Sequence, residues 1–430
     1  MAFPFQALPG FRDFAPRERS LCTYLFEAWS RVAGRYGFSE YEAPILESAE
    51  LYLKKSGGEL GQQLFRFEDQ GGRDIVLRPE LTASLARIVG EQQRDYPKPL
   101  KWFEIGRCFR YEKPQKGRLR EFYQFNADIL GEASPAADAE LAALAIDVML
   151  ELGFRPGEFV VRLSDRAVWR EFCQNNNIAP DQLDAFLQVV DKLERDKPEV
   201  ADQKFAEFGL TRQTVCDYAA NPGNASPAIR AVLLDLKQRG LDHLVEVDLS
   251  IVRGLAYYSG VVFEIFDTAR SMRAIAGGGR YDGLLSILSE GSLDMPATGF
   301  AMGDAVIANL IAETPVALGK LQAWRQLQRT CDVFVVVAEE SRRPEALRLI
   351  SNLRNAGIRT DFPLTPTKIN KQFKAADATL ARFAIVVGNE FPELKVKILS
   401  SRTETSIAPN ADPVDFIQRL LDAPDGPLLT

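Results

Sequence analysis

Residues 101–131, KWFEIGRCFRYEKPQKGRLREFYQFNADILG, form the stretch that decides the fold. Aromatic and other strand-favouring residues fill segments 102–111 and 121–130, and the loop between them contains Pro114 and Gly117, which are typical of turns. The pattern therefore predicts a β-hairpin in which a basic loop joins two long strands.

Each predicted strand separates an apolar face from a polar one, because successive side chains of a strand point to opposite sides. On the second strand the polar face carries Gln124, Asn126 and Asp128, and Phe125 lies on the other side. On the first strand one face carries Glu104, Gly106, Cys108 and Arg110. We therefore expect one surface of the hairpin to present acidic, basic and amide groups together: Glu104, Arg110, Gln124 and Asp128.

The loop of this hairpin is strongly basic. Six basic residues lie in it or beside it: Arg107, Arg110, Lys113, Lys116, Arg118 and Arg120. This density suits an anion, most simply a phosphate, because a guanidinium group binds two phosphate oxygens at once. The alternative is a solvated hairpin at a sheet edge, where charged side chains oppose aggregation.

The composition, with 46% hydrophobic and 26% charged residues, is that of an ordinary globular protein, and 430 residues allow two or three domains at ~100–200 residues each. No apolar run reaches the ~18 residues that span a bilayer, so we expect no membrane partner. The first residues, MAFPFQALPGFRDF, lack the pattern of a signal peptide. Five scattered cysteines without a CxxC pair indicate a reducing cytoplasm rather than disulfides or a zinc site.

The net charge of −7 means that nucleic-acid binding would depend on local basic patches. Lys368, Lys371 and Lys374 recur at every third position, which places them on one flank of a predicted helix. That flank is either a solvated face or a patch that follows RNA phosphates. His243 is the one histidine, which excludes sites built from several histidines, and no resident metal is expected.

Other segments complete the predicted organisation. A helix over 16–36 precedes a strand over 38–46 that contains Pro44, and residues 165–244 are mostly helical and polar. From residue 331 strands alternate with helices, which predicts a small sheet that is mostly parallel in its first part.

Several blocks of this sequence resemble histidyl-tRNA synthetases. FRYEKPQKGRLREFYQ, residues 109–124, looks like motif 2 of the class II aminoacyl-tRNA synthetases in the form found in that family. RGLAYY at 253–258 and GGRYDGL at 278–284 match its histidine-specific signatures, and KQFKAADATLARFAIVVG at 371–388 resembles its anticodon-binding domain. Three consecutive glycines, 277–279, allow a ligand to approach the backbone, although a glycine-rich turn between a strand and a helix would also explain them.

The resemblance implies an α+β protein: a class II antiparallel sheet core flanked by helices, a helical insertion and a C-terminal α/β anticodon-binding domain. We place the first part of the core at 1–165 and its second part at 245–314. The insertion occupies 166–244, a linker 315–330 and the anticodon-binding domain 331–430. The helix and Pro44-containing strand near the N-terminus are similar to motif 1, which implies a homodimer.

The implied function is a histidine–tRNA ligase, which activates histidine with ATP, in the presence of Mg²⁺, and transfers it to tRNA(His). By resemblance, the catalytic residues that act on the α-phosphate are Arg110 and Arg253. The residues implied to bind histidine are Glu80, Thr82, Gln124, Asp128, Tyr257, Tyr258 and Tyr281. Those implied to contact ATP or the tRNA acceptor end are Glu112, Gln115, Lys116 and Arg118.

Motif 3 departs from the family pattern. Residues 299–306 are GFAMGDAV, so that Val306 stands where the family has an ATP-binding arginine, and Asp304 introduces a carboxylate. Two alternatives follow: a non-catalytic paralogue, such as a histidine-sensing regulatory subunit of ATP phosphoribosyltransferase, or a histidine- or RNA-binding protein that no longer activates histidine. The regulatory subunits usually lack the anticodon domain. A large gain of activity in Val306→Arg would indicate a degraded ATP site, and no gain would indicate an adapted one.

Overall fold

The protein is described here from a computed structural model that covers residues 5–54, 61–115, 117–193, 196–253, 257–269 and 273–423. The chain divides into two compact units, Met1–Leu321 and Gln322–Thr430. No helix in these ranges is long and apolar enough to cross a membrane.

An eight-stranded sheet forms the centre of the first unit, in the order β1-β5-β6-β11-β10-β9-β7-β8. Its strands are β1 (Ser39–Glu40), β5 (Leu100–Phe109), β6 (Glu121–Leu130), β7 (Phe159–Asp165), β8 (Val245–Val247), β9 (Val261–Asp267), β10 (Ala276–Arg280) and β11 (Ala297–Gly303). The two edge strands β1 and β8 pair in parallel with their neighbours, and the other pairs are antiparallel. A small sheet, β2-β4-β3, contains β2 (Leu46–Ser48), β3 (Phe65–Glu68) and β4 (Asp74–Leu77).

The predicted hairpin is β5–β6, and its register places the expected residues side by side. Glu104 pairs with Asn126 and Gly106 pairs with Gln124, so the polar residues of both strands share one face. The apolar face of β6 is buried, with Phe125 fully inaccessible to solvent. Only the bounds of the first strand differ from the prediction, by two residues at each end.

Helices of the first unit cover the apolar face of the sheet. The α-helices before the insertion are α1 (Pro16–Arg35), α2 (Ala49–Leu53), α3 (Thr82–Gln92) and α4 (Pro135–Glu151). Trp29 of α1 stacks on Phe125 at 5.6 Å between ring centroids, and α4 crosses β6, β9, β10 and β11. Alanines on the buried side of α4 allow its backbone to approach the sheet closely. The polar face of β6 therefore lies on the side away from α1 and α4.

Residues 166–244 fold as a helical segment between β7 and β8, with helices α5 (Arg166–Asn175), α6 (Leu183–Val190), α7 (Pro198–Ala206), α8 (Arg212–Ala219) and α9 (Pro227–Gln238). They supply most of a hydrophobic core in which Trp169, Phe186 and Phe205 are completely buried, and Leu249 and Val252 complete it. In the described residues that follow, the helices are α10 (Leu284–Leu288), α11 (Asp304–Glu313) and α12 (Pro315–Leu327). The predicted linker at 315–330 thus consists largely of α12.

The second unit contains a five-stranded sheet in the order β13-β12-β14-β15-β16. Its elements are β12 (Val333–Val337), α13 (Arg343–Asn355), β13 (Thr360–Asp361), α14 (Ile369–Ala378), β14 (Phe383–Val387), β15 (Leu394–Ile398), β16 (Thr403–Ile407) and α15 (Pro413–Asp422). β12 pairs in parallel with β13 and β14, and the later pairs are antiparallel, as the alternating pattern predicted. Sequence reasoning missed β16, whose residues TETSI are polar and mostly exposed.

One sequence prediction was wrong, and one alternative explanation is excluded. The predicted strand over 38–46 is two short strands in different sheets, with Pro44 between them, because proline lacks the N–H that a continuous ladder needs. The glycines Gly277, Gly278 and Gly279 lie inside the central strand β10 and not in a turn. A Cβ on Gly278 would lie 2.2 Å from the carbonyl oxygen of Gly299, so packing between strands requires glycine there.

A buried ion pair joins β4, β5 and the segment between β1 and β2. Arg78 Nη1 lies 2.7 Å from Glu104 Oε1, and both side chains are almost completely buried. Arg78 also donates to the carbonyl oxygens of Ala43, at 2.7 Å, and Arg107, at 2.8 Å. Burial raises the pKa of Glu104, and the positive charge of Arg78 opposes this shift. Each charge therefore depends on the other for stability in an environment that excludes water.

We expect Arg78→Ala to lower the free energy of unfolding of the first unit by about 3–5 kcal/mol, because Glu104 would remain buried without its partner. Urea unfolding followed by tryptophan fluorescence measures the change. The matched control is Arg66→Ala, which removes an exposed ion pair with Asp74 and should leave the free energy of unfolding almost unchanged. Equal costs for the two variants would contradict the assignment of Arg78 as a structural centre.

Candidate active site

The polar face of β6 continues across the sheet as a row of very small residues. In the register of the strands, Asp128 lies opposite Gly299 of β11, and Gly299 lies opposite Gly279 of β10. One pair further along, Asn126 lies opposite Ala301, which is paired in turn with Gly277. Paired residues point to the same side of a sheet, so this face is a depression with polar groups on one side.

Side chains from neighbouring elements occupy the space that these glycines leave. A Cβ on Gly299 would lie 1.7 Å from Asp128 Oδ1, and a Cβ on Gly277 would lie 2.1 Å from Arg253 Nη1. Both distances are far below van der Waals contact. The glycines therefore allow Asp128 and Arg253 to lie flat against the sheet.

Tyrosines surround Asp128 at one end of the depression. Tyr281 donates a hydrogen bond to Asp128 Oδ1 at 2.6 Å. The ring centroids of Tyr257 and Tyr258 are 4.8 Å apart, and those of Tyr257 and Tyr281 are 6.0 Å apart. Burial raises the pKa of Tyr281 well above its usual value, and the charge of Asp128 adds to the shift. Tyr281 therefore stays a neutral donor that orients the carboxylate of Asp128.

A second acidic group, Glu80, lies near the same tyrosines. Glu80 is buried just before α3, and its carbonyl accepts a hydrogen bond from Tyr52 at 3.2 Å. Burial raises the pKa of Tyr257, and the negative charge of Glu80 is the next contribution, which indicates that the two groups are close. Thr82, the first residue of α3, is also buried. This end of the depression suits a ligand with one cationic group and one ring N–H.

Gln124 lies further along β6, where its amide is oriented by Cys108. The thiol of Cys108 donates to Gln124 Oε1 at 3.2 Å. Burial raises the pKa of Cys108 to about 12, so the thiol remains protonated. The amide nitrogen of Gln124 is then the end directed away from Cys108, and it can donate to an anionic group.

Arg253 lies beside the tyrosines and supplies a positive charge. Its Nη1 forms an ion pair with Glu264 Oε1 at 2.6 Å, and its guanidinium carbon lies 5.6 Å from the centre of the Tyr258 ring. The backbone of Arg253 has φ 56°, in the left-handed region that is unusual for a residue with a side chain. Such strain is common at functional sites, where the surrounding structure maintains it.

The hairpin loop brings a second group of charges to the other end of the depression. Arg110 Nε donates to the Pro79 carbonyl at 2.9 Å. Glu112 is buried and forms an ion pair with Arg118. Burial lowers the pKa of Arg118, Glu112 opposes the shift, and the positive charges of Arg273 and then Arg110 add to it. The loop therefore gathers guanidinium groups around one carboxylate.

Of the remaining residues assigned to the loop from sequence, Gln115 is exposed. Its backbone N–H donates to the Arg118 carbonyl at 3.0 Å, and the Arg118 N–H donates back at 2.8 Å, which closes a tight turn. Lys116 lies outside the described residues. The structure thus groups the predicted histidine-binding residues along the depression and places Gln115 at the tip of the loop.

Asp304 and Val306 of motif 3 have different surroundings. Asp304 is buried, pairs with Arg12 at 2.7 Å and accepts a hydrogen bond from the Tyr123 backbone at 3.0 Å. Burial raises the pKa of Asp304, and Arg12 opposes the shift. Val306 is buried beneath the hairpin loop, since a Cβ on Gly117 would lie 3.2 Å from Val306 Cγ2. Asp304 therefore joins the N-terminal segment to the start of α11.

Among the described residues, no group of three or more histidine, cysteine or acidic side chains could hold a metal ion.

Sequence reasoning also missed side chains that border the depression. The hydroxyl of Tyr41 is buried and makes no hydrogen bond within the described part of the chain. Burial raises the pKa of Tyr41, and the charges of Asp128 and Glu104 add to the shift, so Tyr41 lies near both carboxylates. Asn126 could have been found from its place between Gln124 and Asp128, whereas nothing in the sequence indicates Tyr41.

This chain is similar to known proteins over most of its length. The family model of histidyl-tRNA synthetase matches residues 10–305, and the model of an anticodon-binding domain matches residues 332–417. The chain belongs to the histidyl-tRNA synthetase family. A histidine–tRNA ligase of Opitutus terrae is 39% identical over 427 residues, which cover 94% of this chain and 96% of that protein. The chloroplastic and mitochondrial histidine–tRNA ligase of Arabidopsis thaliana is 33% identical, over 91% of this chain and 82% of that protein.

Solved structures of histidyl-tRNA synthetases share the fold. The enzyme from Nostoc sp. superposes with a TM-score of 0.75 at 23% identity, covering 97% of this chain and 100% of that one. A protein of Bacillus halodurans described as an ATP phosphoribosyltransferase regulatory subunit or histidyl-tRNA synthetase gives a TM-score of 0.70 at 22% identity, over 90% of this chain and 100% of that one. The predicted family and the class II fold with its C-terminal anticodon-binding domain are confirmed. The residue roles stay predictions.

Proposed function

We propose that the depression on the polar face of the sheet is the site where histidine is activated, so that the chain acts as a histidine–tRNA ligase. The observation that carries this proposal is the Asp128–Tyr281 hydrogen bond, which lies among tyrosines and near Glu80. A family match that covers the core and the anticodon-binding domain supports it. The regulatory-subunit alternative is not better supported, because relatives that match 94% and 91% of this chain are named histidine–tRNA ligases.

In the proposed complex, the imidazole, the α-ammonium group and the α-carboxylate of histidine each meet a side chain that can form a hydrogen bond or an ion pair with them. Asp128 accepts a hydrogen bond from an imidazole N–H, and Tyr258 lines the ring. Glu80 pairs with the α-ammonium group, with Thr82 and Tyr257 beside it. The amide nitrogen of Gln124 donates to the α-carboxylate and directs it toward the hairpin loop.

The proposed chemistry is an in-line displacement at the α-phosphorus of ATP. A carboxylate oxygen of histidine forms a bond to phosphorus as the bond to the pyrophosphate oxygen breaks, which yields histidyl-adenylate and pyrophosphate. Arg110 and Arg253 stabilise the negative charge that develops on the phosphoryl oxygens. A hydroxyl of the tRNA terminus then attacks the carbonyl carbon and releases AMP. Glu112, Gln115, Lys116 and Arg118 hold ATP or the acceptor end.

Mg²⁺ would enter with the ATP phosphates, where it neutralises part of their charge. Asp304 is not a good candidate ligand, because its oxygens already bind Arg12 and the Tyr123 backbone. We place the protein in the cytoplasm, in keeping with five cysteines that form no disulfide.

We propose that the second unit binds the anticodon arm of tRNA(His). Lys368, Lys371 and Lys374 are exposed along the start of α14, where they can contact successive phosphates. The match to an anticodon-binding domain supports this assignment over a plain solvated helix face.

The proposed reaction predicts histidine-dependent exchange of pyrophosphate into ATP by the purified protein, and charging of histidine tRNA in a second assay. Exchange should need added Mg²⁺ and stop on chelation with EDTA. Replacement of histidine by another amino acid is the matched control and should give no exchange. Histidine binding without exchange would contradict the ligase and leave a sensor or RNA-binding paralogue.

Gly299→Ala should raise the KM for histidine by about tenfold or more, because the new Cβ would displace Asp128, and a charged hydrogen bond contributes about 1.5–3 kcal/mol. The KM for ATP should change little. Gly90→Ala in α3 is the control, since a Cβ there meets nothing within 4 Å. An unchanged KM for histidine in Gly299→Ala would show that Asp128 does not bind the substrate.

We also propose that the chain is a homodimer that covers one face of the small sheet. By strand register this face is mostly apolar and carries Leu46, Ser48, Phe65, Phe67, Ile75 and Leu77. Leu46 and Phe67 are 48% and 47% exposed, which is unfavourable for apolar side chains that share one sheet face. The resemblance of the neighbouring helix and strand to motif 1 supports a second copy as the partner.

Phe67→Asp should shift the protein toward monomer, because a carboxylate would be buried in the proposed interface. Sedimentation velocity over a range of concentrations measures the change. Arg66→Ala is the control on the opposite face of β3 and should leave the dimer intact. A dimer that is equally stable in both variants would place the interface elsewhere, and a monomeric parent protein would exclude it.

A further inference from the structure

Val306 leaves a gap in the charges that class II synthetases use to hold ATP. It is buried under the hairpin loop, against Gly117, and an aliphatic side chain there cannot neutralise a triphosphate. Relatives that are 39% and 33% identical to this chain are named histidine–tRNA ligases, so we look nearby for a group that replaces this charge. The inference that follows rests on the proposed function.

The strand register identifies the segment that lies at the same end of the sheet as Val306. β10 begins at Ala276, which is paired with Met302 near the end of β11. β11 ends at Gly303 and leads directly into α11, whose first turn contains Val306. The residues that enter β10 from the other direction, Arg273 among them, therefore lie beside the start of α11.

Arg273 is exposed and makes no ion pair with any residue in the described ranges. This distinguishes it from two other arginines of the site, because Arg118 pairs with Glu112 and Arg253 pairs with Glu264. Arginine is almost always charged, so Arg273 offers a guanidinium group that is available to a ligand.

The charge of Arg273 also acts on the hairpin loop. It lowers the pKa of Arg118, as does the charge of Arg110, although burial makes the larger contribution. The charges of Arg273 and Arg110 thus both act on Arg118, and Glu112 is the carboxylate that opposes their effect. Positive charges that converge in this way repel each other until an anion binds between them.

We propose that Arg273 binds the triphosphate of ATP and supplies the positive charge that the motif 3 arginine provides in other family members. Arg273 belongs to the segment that leads into β10, beside the start of α11. This place in the sheet, together with the effect of its charge on Arg118, puts it among the groups proposed to contact ATP. A sequence comparison aligned on motif 3 alone would overlook it.

The test is histidine-dependent ATP–pyrophosphate exchange by the full-length protein and by Arg273→Ala. We expect the KM for ATP to rise about tenfold or more, because a lost hydrogen bond to a charged group costs about 1.5–3 kcal/mol. The KM for histidine should stay within about twofold of the parent value. Arg94→Ala is the matched control, since Arg94 is also exposed and unpaired in the described part of the chain, and it should change neither constant.

A second variant separates a lost charge from a local change of structure. Arg273→Ala combined with Val306→Arg should recover most of the ATP affinity, whereas Val306→Arg in the parent protein should add little. An unchanged KM for ATP in Arg273→Ala would overturn the proposal. So would a rise confined to the KM for tRNA in the charging assay, which would make Arg273 an RNA contact.

Failure of the proposed function can be told apart from failure of this inference. If the parent protein shows no exchange, the ligase reaction is absent, and calorimetric titration of ATP into the parent, Arg273→Ala and Arg94→Ala proteins then decides. Weaker ATP binding in Arg273→Ala alone supports the inference, and equal binding in all three proteins overturns it.

Discussion

The buried ion pair between Arg78 and Glu104 is the contact on which the site depends. Arg78 immediately precedes Pro79, whose carbonyl accepts a hydrogen bond from Arg110, and Glu80 follows in the same turn. The Arg78–Glu104 pair therefore fixes one short segment that positions a carboxylate at one end of the depression and a guanidinium group at the other. A charge pair inside a sheet is costly to break, which makes this connection rigid.

Local patterns in the sequence were sufficient to predict the hairpin and most of the second unit. Alternation along β6 placed Gln124 and Asp128 on one face, because successive side chains of a strand point to opposite sides whatever the strand packs against. The place of the β10 glycines inside a strand could not be predicted from sequence because its cause is tertiary: the atoms of β9 and β11 occupy the space that side chains would need. Tyr41 was missed for the same reason, since only the folded chain brings it near Asp128.

Motif 3 differs from the family pattern at Asp304 and Val306, although the strand and the helix that carry it are formed. From sequence, Asp304 stood out as an added carboxylate near the ATP site, and the structure pairs it with Arg12 and the Tyr123 backbone. Arg12 could not be identified as a partner of Asp304 from the sequence, because the two residues are 292 positions apart. Val306 packs under the loop as an ordinary apolar residue. The positive charge that it cannot supply to ATP is the one that we propose for Arg273.

The pairing of Arg12 with Asp304 also has a consequence for synthesis on the ribosome. The two residues are separated by 292 positions, and the backbone of Gly10 accepts a hydrogen bond from the Arg120 N–H at 2.9 Å. The core sheet therefore cannot close until its final strand has left the exit tunnel. A separate hydrophobic core is formed by residues close together in sequence, from Val168 to Val252, so we expect this segment to fold first, while the N-terminal segment still waits for its partner.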